Sequence, residues 1–220
     1  MGRLSRRGPD RSRPLELGGK SVFVILDDAD LQRAVAYGMT RCMRNSGQTC
    51  SSTRMLVPEA MIEDASRIAV AQARNHPTGD PGDPDSVSGP LVSAVQRDSA
   101  VQYIDAGVAE GATIALDGRG AVHDTGYYVG PVLAVMSYRD EDEAVRLVNG
   151  TDYGLAGAVW SGDPRRADAV ARRIRAGQVV VNGAVVDTGA PFGGYKQSGI
   201  GREGGGFGFE KFLEIKATLR

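Results

Sequence analysis

Two side chains in this sequence could between them form and then hydrolyse a covalent intermediate. Cys50, in Asn45-Ser46-Gly47-Gln48-Thr49-Cys50-Ser51-Ser52, follows a glycine and adjoins small hydroxyl residues just ahead of a strand-like run. A thiol placed there can reach solvent at a strand–loop edge and act as a nucleophile. The other reading is an idle or buried thiol. Glu16 stands in the apolar frame Leu15-Glu16-Leu17, followed by Gly18-Gly19. It is therefore either exposed at a strand edge or buried at a cost in free energy, and burial would raise its pKa toward that of a base near neutrality. A thiol nucleophile with a separate carboxylate base suits covalent acyl chemistry.

Other chemistry-bearing patterns fail on context. Gly19-Lys20-Ser21 would end a phosphate-binding loop, but Pro14 occupies the place of its leading glycine. Gly199 to Gly204 fits the glycine spacing of a dinucleotide fingerprint, yet no strand leads into it and too few residues follow. His76 and His123 sit in separate polar loops without paired cysteine or carboxylate spacing, so no metal site is expected and both rings are read as solvated.

These residues must be positioned by alternating elements. Ser21 to Leu26 (SVFVIL) reads as a strand buried on both faces. Leu31, Ala34, Val35, Gly38, Met39 and Cys42 recur at helical spacing, with Asp28 as the expected N-cap, so this helix buries Cys42. A strand at Arg54 to Val57 ends at Pro58 and precedes a helix over about 59–75 with Ile62, Ala65, Ile68 and Ala69 on one face. After a turn-rich loop from His76 to Pro90, a helix is expected near Ser93 to Glu110, then strands at 112–116 (ATIAL) and Pro131 to Ser137. A helix at Glu141 to Val148, a strand at Leu155 to Trp160, a helix beginning at Pro164 and a strand at Gln178 to Asn182 follow. The alternation predicts an α/β fold: an open, mostly parallel sheet with flanking helices and right-handed crossovers. The glycine-rich stretch after Asn182 is expected to be an irregular, functional loop.

Composition narrows the partners. With 26 basic and 27 acidic side chains, the net charge of −1 supplies no field for nucleic acid or an anionic membrane. Two cysteines form no disulfide framework and suit a reducing compartment. The first fourteen residues carry five arginines and two prolines without a signal-length apolar run, and are read as a disordered arm.

With these residues in place, the sequence resembles the NAD(P)-dependent aldehyde dehydrogenases. LELGGKS (15–21) is similar to the family's glutamate motif and NSGQTCSS (45–52) to its cysteine motif, and Cys50 follows Glu16 by 34 positions, the usual spacing. TDYGLAGAVW, RAGQVVVN and PFGGYKQSGIGRE are similar to downstream motifs and occur in the same order, so that the likeness runs from Leu15 to Arg220. The resemblance implies the fold of the family's catalytic domain and the oxidation of an aldehyde to a carboxylic acid with NAD or NADP. Cys50 would be the nucleophile, carrying a thiohemiacetal and then a thioester, and its backbone N–H an oxyanion donor. Glu16 would activate water, Gly18 and Gly19 would pack closely against nicotinamide, and Phe192 would form an aromatic wall of the substrate site. No metal is implied.

Two departures from the family pattern shape the expectations. The half preceding the glutamate motif, which builds the dinucleotide-binding domain, is expected to be absent. Internally, the sequence passes from Tyr127-Tyr128-Val129 straight to Gly130-Pro131, where the family has a further strand and an acidic-aromatic segment. Tyr127 then stands where the ribose-binding glutamate belongs, and Val129 where the aromatic beside it belongs. The expected organisation is an arm at 1–14, a catalytic α/β domain at 15–212 and an oligomerisation strand at 213–220. The expected partners are a small aldehyde and further copies of the chain, with no nucleic acid or membrane, in the cytoplasm. Alternatives from other classes are a cofactor-independent thiol esterase and a non-catalytic remnant or assembly partner.

Overall fold

The computed structural model describes residues 14–51, 53–120, 123–214 and 216–219, and the arginine-rich arm before Pro14 lies outside them. The described chain opens with two residues of exposed strand, β1 (Leu15–Glu16), and then β2 (Ser21–Ile25), in which every residue is buried, as its unbroken apolar run demands. Helix α1 (Leu31–Met43) buries Ala34, Val35, Gly38, Met39 and Cys42, the predicted face. Its cap is Asp30, whose Oδ1 accepts from the Arg33 N–H at 3.0 Å, and not Asp28. Asp28 is engaged elsewhere, accepting from the distant Ser161 hydroxyl and the Asp163 N–H.

Strand β3 (Thr53–Pro58) and a short 3-10 turn lead into α2 (Ile62–Ala73), which buries Ala65, Ile68 and Ala69. Helix α3 (Ala94–Ala109) starts at the Ser93 cap and buries none of its residues. Strand β4 (Val135–Tyr138), helix α4 (Glu141–Asn149), the two-residue β5 (Tyr153–Gly154) and β6 (Ala156–Trp160) follow. Helix α5 (Pro164–Arg173) begins on its proline behind the Asp163 cap, where a missing N–H costs nothing, and β7 (Gln178–Val181) comes next.

All five long strands are parallel, in the order β4-β3-β2-β6-β7, with Phe23 beside Met55 on one side and Ala158 on the other. Because side chains alternate along each strand, Phe23, Ile25, Met55, Val57 and Trp160 pack under α1 and α2. Val22, Val24, Leu26, Leu56 and Val159 pack under α4 and α5 on the opposite face. Full burial of side chains of this size is worth roughly 1.5–3 kcal/mol each. The strand order reverses between β2 and β6, which makes that the switch point of the sheet.

Several local expectations are corrected. Residues 112–116 form no strand, for they find no neighbouring strand to pair with and lie largely exposed. Instead the Gly130 N–H donates to the Gly118 carbonyl at 2.7 Å, and the two glycine backbones touch so closely that a Cβ on Gly118 would come within 2.9 Å of the Gly130 carbonyl carbon. The strand expected from Pro131 to Ser137 is shorter and shifted, at Val135–Tyr138. His76 is buried and its Nδ1 lies 3.0 Å from the Gln72 carbonyl oxygen, so this ring is not solvated, whereas His123 is exposed against Tyr128. The glycine-rich stretch holds β8 (Tyr195–Lys196), β9 (Gly199–Ile200) and α6 (Gly205–Glu210). The described residues of 213–219 form no strand within the chain, and no helix among the described residues is long and apolar enough to cross a membrane.

Candidate functional site

Cys50 lies at the amino end of β3, and its path there from α1 is abrupt. Asn45 and Ser46 both adopt left-handed conformations (φ 53° and 55°), and Gly47 continues the bend at φ 76°. Left-handed backbone is unfavourable for a side-chain-bearing residue, though asparagine tolerates it, and its presence here must be held by surrounding contacts. Those contacts are visible. The Gln48 N–H donates to the Asn45 carbonyl at 3.0 Å, the Asn45 Nδ2 donates to the Gln48 carbonyl at 3.1 Å, and the Thr49 hydroxyl donates to the Arg44 carbonyl at 3.0 Å. From outside the turn, the Ser46 hydroxyl donates to the Gly89 carbonyl at 2.9 Å and the Val92 N–H to Gln48 Oε1 at 3.3 Å. The result is an exposed Cys50 thiol, while Cys42, the penultimate residue of α1, is buried with its Sγ directed at the Val132 carbonyl oxygen. Exposure removes the buried alternative for Cys50 and leaves the reactive and the idle thiol.

Glu16 is exposed at a strand edge, the first of its two alternatives. Its strand β1 pairs antiparallel with β9, Leu15 opposite Ile200 and Glu16 opposite Gly199. The carboxylate folds back over its own loop, where Oε1 accepts from the Gly18 N–H at 2.8 Å. Gly18 has φ +69°, and among the described residues a Cβ there would find only the Cys50 carbonyl oxygen, at 3.9 Å. The glutamate loop and the cysteine turn are thus neighbours, with open space above Gly18. Gly19, by contrast, is packed: a Cβ would meet Leu155 Cβ and Ser198 Oγ, both at 3.1 Å. The Cys50 N–H makes no hydrogen bond among the described residues, so it remains available to an incoming oxygen.

Phe192 reaches the same edge of the sheet by another route. Its backbone exchanges two hydrogen bonds with Glu203, at 2.7 and 2.6 Å, and the next residue, Gly193, lies with its carbonyl against Gly177 at the start of β7. Residues that lie inside the quoted motifs without a role read from them do much of this positioning. Ser198, Ser46 and Gln48 all act on partners more than forty positions away, so no local signal shows what each does.

The opposite end of the sheet carries most of the charge. Arg166 on α5 meets Asp27 and Glu141 at 2.6 Å each and Asp28 at 3.1 Å. The Ser161 hydroxyl reaches both Asp28 oxygens, at 2.9 and 2.8 Å, and the Asp163 N–H donates to Oδ2 at 3.0 Å. Partial burial acts to raise the Asp28 pKa, but the Ser161 hydroxyl, the Asp163 amide and Arg166 outweigh it and hold the carboxyl below its ordinary 3.8. The buried Tyr138 donates to the Ile25 carbonyl at 2.8 Å, and burial, reinforced by the nearby Asp27 charge, pushes its phenol upward. A cavity of about 410 Å³ beside α3 contains neither Cys50 nor Glu16, and its arginines are already held, Arg97 by Asp98 and Arg119 by Asp105 and Asp117.

The model of the aldehyde dehydrogenase family matches this chain over residues 11–131 and 128–218. Among curated relatives, 3-succinoylsemialdehyde-pyridine dehydrogenase from a Pseudomonas species is 44% identical over 228 aligned positions, covering 93% of this chain and 48% of the relative. A solved structure of aldehyde dehydrogenase C from Pseudomonas syringae, an alanine variant in complex with NAD+ and octanal, superposes with a TM-score of 0.87 at 38% identity, over 94% of this chain and 49% of that one. The Mycobacterium tuberculosis aldehyde dehydrogenase complexed with NAD+ gives 0.86 at 35% identity, over 94% and 49%. The chain spans about half the length of the relatives it matches. The 228 aligned positions exceed its 220 residues, so gaps open within it, and the two family segments meet at 128–131, where the sequence jumps from Val129 to Pro131. The thiol turn, the glutamate loop, the parallel sheet and these matches lead to one conclusion: the chain belongs to the aldehyde dehydrogenase family.

Proposed function

We propose that these residues oxidise an aldehyde to a carboxylic acid with NAD or NADP, with Cys50 as nucleophile and Glu16 as general base. One observation carries the reading: an exposed thiol beside the loop whose Gly18 amide holds the Glu16 carboxylate. The Cys50 thiolate adds to the aldehyde carbonyl carbon, and the oxygen that becomes negative accepts from the free Cys50 N–H, a fixed donor of the kind worth about 2.7–4 kcal/mol of barrier. Bound NAD or NADP would supply the hydride acceptor. Gly18 fits a flat ring, since its side toward the Cys50 carbonyl is a cradle that a side chain would fill, while Gly19 keeps the loop seated against Leu155 and Ser198. Loss of hydride leaves a thioester on Cys50. Glu16, with Oε1 on Gly18, presents Oε2 to water, takes its proton as the water oxygen attacks, and the C–S bond breaks to release the acid and the thiolate.

Phe192 would wall the aldehyde side. Exposed Phe207, Phe209, Phe212 and Leu213 support a homo-oligomer that covers them, and the exposed Cys50 thiol suits the reducing cytoplasm. The test is NADH fluorescence during turnover of octanal by the whole chain beside its Cys50→Ala variant. Turnover should fall on the order of a thousand-fold or more in the variant, and equal rates would sink the reading. Ester hydrolysis dependent on Cys50 without any NADH formation would instead favour the cofactor-independent esterase.

A further inference from the structure

The part of the glycine-rich strap between β8 and β9 converges on one side chain. Ser198 is wholly buried. Its Oγ accepts from the Gly154 N–H at 2.9 Å, its carbonyl accepts from the Leu17 N–H at 2.9 Å, and its own N–H donates to the Tyr195 carbonyl at 3.1 Å. On one side a Cβ on Gly19 would come within 3.1 Å of the Oγ, and on another a Cβ on Gly194 would overlap the Ser198 side chain. The following residue, Gly199, is the register partner of Glu16.

The strap is itself fixed. Lys196 adopts a left-handed conformation, φ 55°, and its Nζ donates to the Asn149 and Thr151 carbonyls at 2.8 and 2.9 Å, beyond the end of α4. Leu17 and Gly19, the residues on either side of Gly18, are thus both seated on Ser198, and Gly18 is the residue that holds the Glu16 carboxylate beside Cys50.

We propose that Ser198 is a positioning residue for water activation: by seating Leu17 and Gly19 it sets where the Glu16 carboxylate stands relative to the acyl group on Cys50. The inference rests on the reading of Cys50 as nucleophile and Glu16 as base. Removing the Oγ leaves the Gly154 N–H without its buried partner and opens space beside Gly19, so the loop can shift by the fraction of an ångström that proton transfer resolves. Among the described residues, the hydrogen bonds of Ser198 go to Gly154, Leu17 and Tyr195 and none to the thiol turn, so thiol addition should be spared.

The experiment needs no cofactor. With 4-nitrophenyl acetate, the Cys50 thiolate attacks the ester carbonyl and 4-nitrophenolate leaves; water then attacks the thioester, Glu16 takes its proton, and acetate and thiolate are released. The burst of nitrophenolate reports acylation, and intact-mass decay of the acetylated chain reports deacylation. Ser198→Ala should slow deacylation about ten-fold while leaving acylation within about two-fold, and Ser198→Cys, which keeps the volume, should fall between. In a Glu16→Gln background Ser198→Ala should have no further effect, a coupling that a merely structural role does not produce. Equal slowing of both steps, unchanged deacylation, or the same ten-fold loss in the Glu16→Gln background would each overturn the proposal. A wild-type chain that is never acetylated at Cys50 would overturn the nucleophile reading itself, a distinct outcome.

Discussion

The two ends of the central sheet solve opposite problems. At the carboxyl ends of β2 and β6, where the strand order reverses and a doubly wound sheet ordinarily binds its ligand, Asp28 is surrounded by the Ser161 hydroxyl, the Asp163 amide and Arg166, and Arg166 also holds Asp27 and Glu141. Each of these charged groups has a partner. At the amino ends of β2 and β3, the Cys50 thiol and N–H and one carboxylate oxygen of Glu16 have no hydrogen-bond partner among the described residues. The lesson is that topology alone misplaces the candidate site. Saturated polar groups stabilise, whereas reactive ones are left unsatisfied by backbone held in uncommon conformations.

Three substitutions would break or sharpen this contrast. Glu16→Gln at the reactive end should slow hydrolysis of a Cys50 thioester on the order of a hundred-fold with little change in melting temperature; stopped-flow deacylation beside a thermal melt checks both. A variant that melts early but deacylates normally would reverse the roles assigned to the two ends. Arg166→Ala at the saturated end should do the converse. It leaves Asp27, Asp28 and Glu141 facing one another, lowering stability by about 1–2 kcal/mol in urea denaturation, with the acylation rate of Cys50 unchanged.

The smallest effect concerns pH. Because the folded Asp28 pKa lies below the ordinary 3.8, its unfolded form takes up protons first on acidification, so its stabilisation is complete above that value and is lost as pH falls through the folded pKa. Ser161→Ala removes the leading favourable contribution and should move the acid-unfolding midpoint upward, with about 1 kcal/mol lost near neutrality. Circular dichroism during acid titration measures it. An unchanged midpoint would mean that the Asp163 amide and Arg166 suffice.

What the sequence reveals follows the range of the forces involved. The α1 face and the buried β2 run were legible because a 3.6-residue period and an unbroken apolar stretch are local. Asp28 was misread as a cap because three aspartates crowd the start of α1, and the choice among them is made by Ser161, 133 positions away. The strand expected at 112–116 had the right residue types but no neighbour to pair with. At the candidate site, Cys50, Glu16 and Gly18 were nameable from short motifs, while the alternatives for Glu16 needed coordinates. Ser198 stands within PFGGYKQSGIGRE, but its role was not legible there, since its importance lies in backbones drawn from three separate segments.

The contact between Gly118 and Gly130 bears on how this chain tolerates changes of length. The Gly130 N–H closes the foot of this excursion on the Gly118 carbonyl at 2.7 Å, and the described residues of the loop bond onward to Leu91, Thr78 and Asp105, none of them in a strand of the central sheet. Lengthening such a loop costs only about 0.6 kcal/mol per doubling. The gap against the relatives falls at the far foot of this excursion, near 128–131. A change of chain length at that foot falls outside every strand of the central sheet.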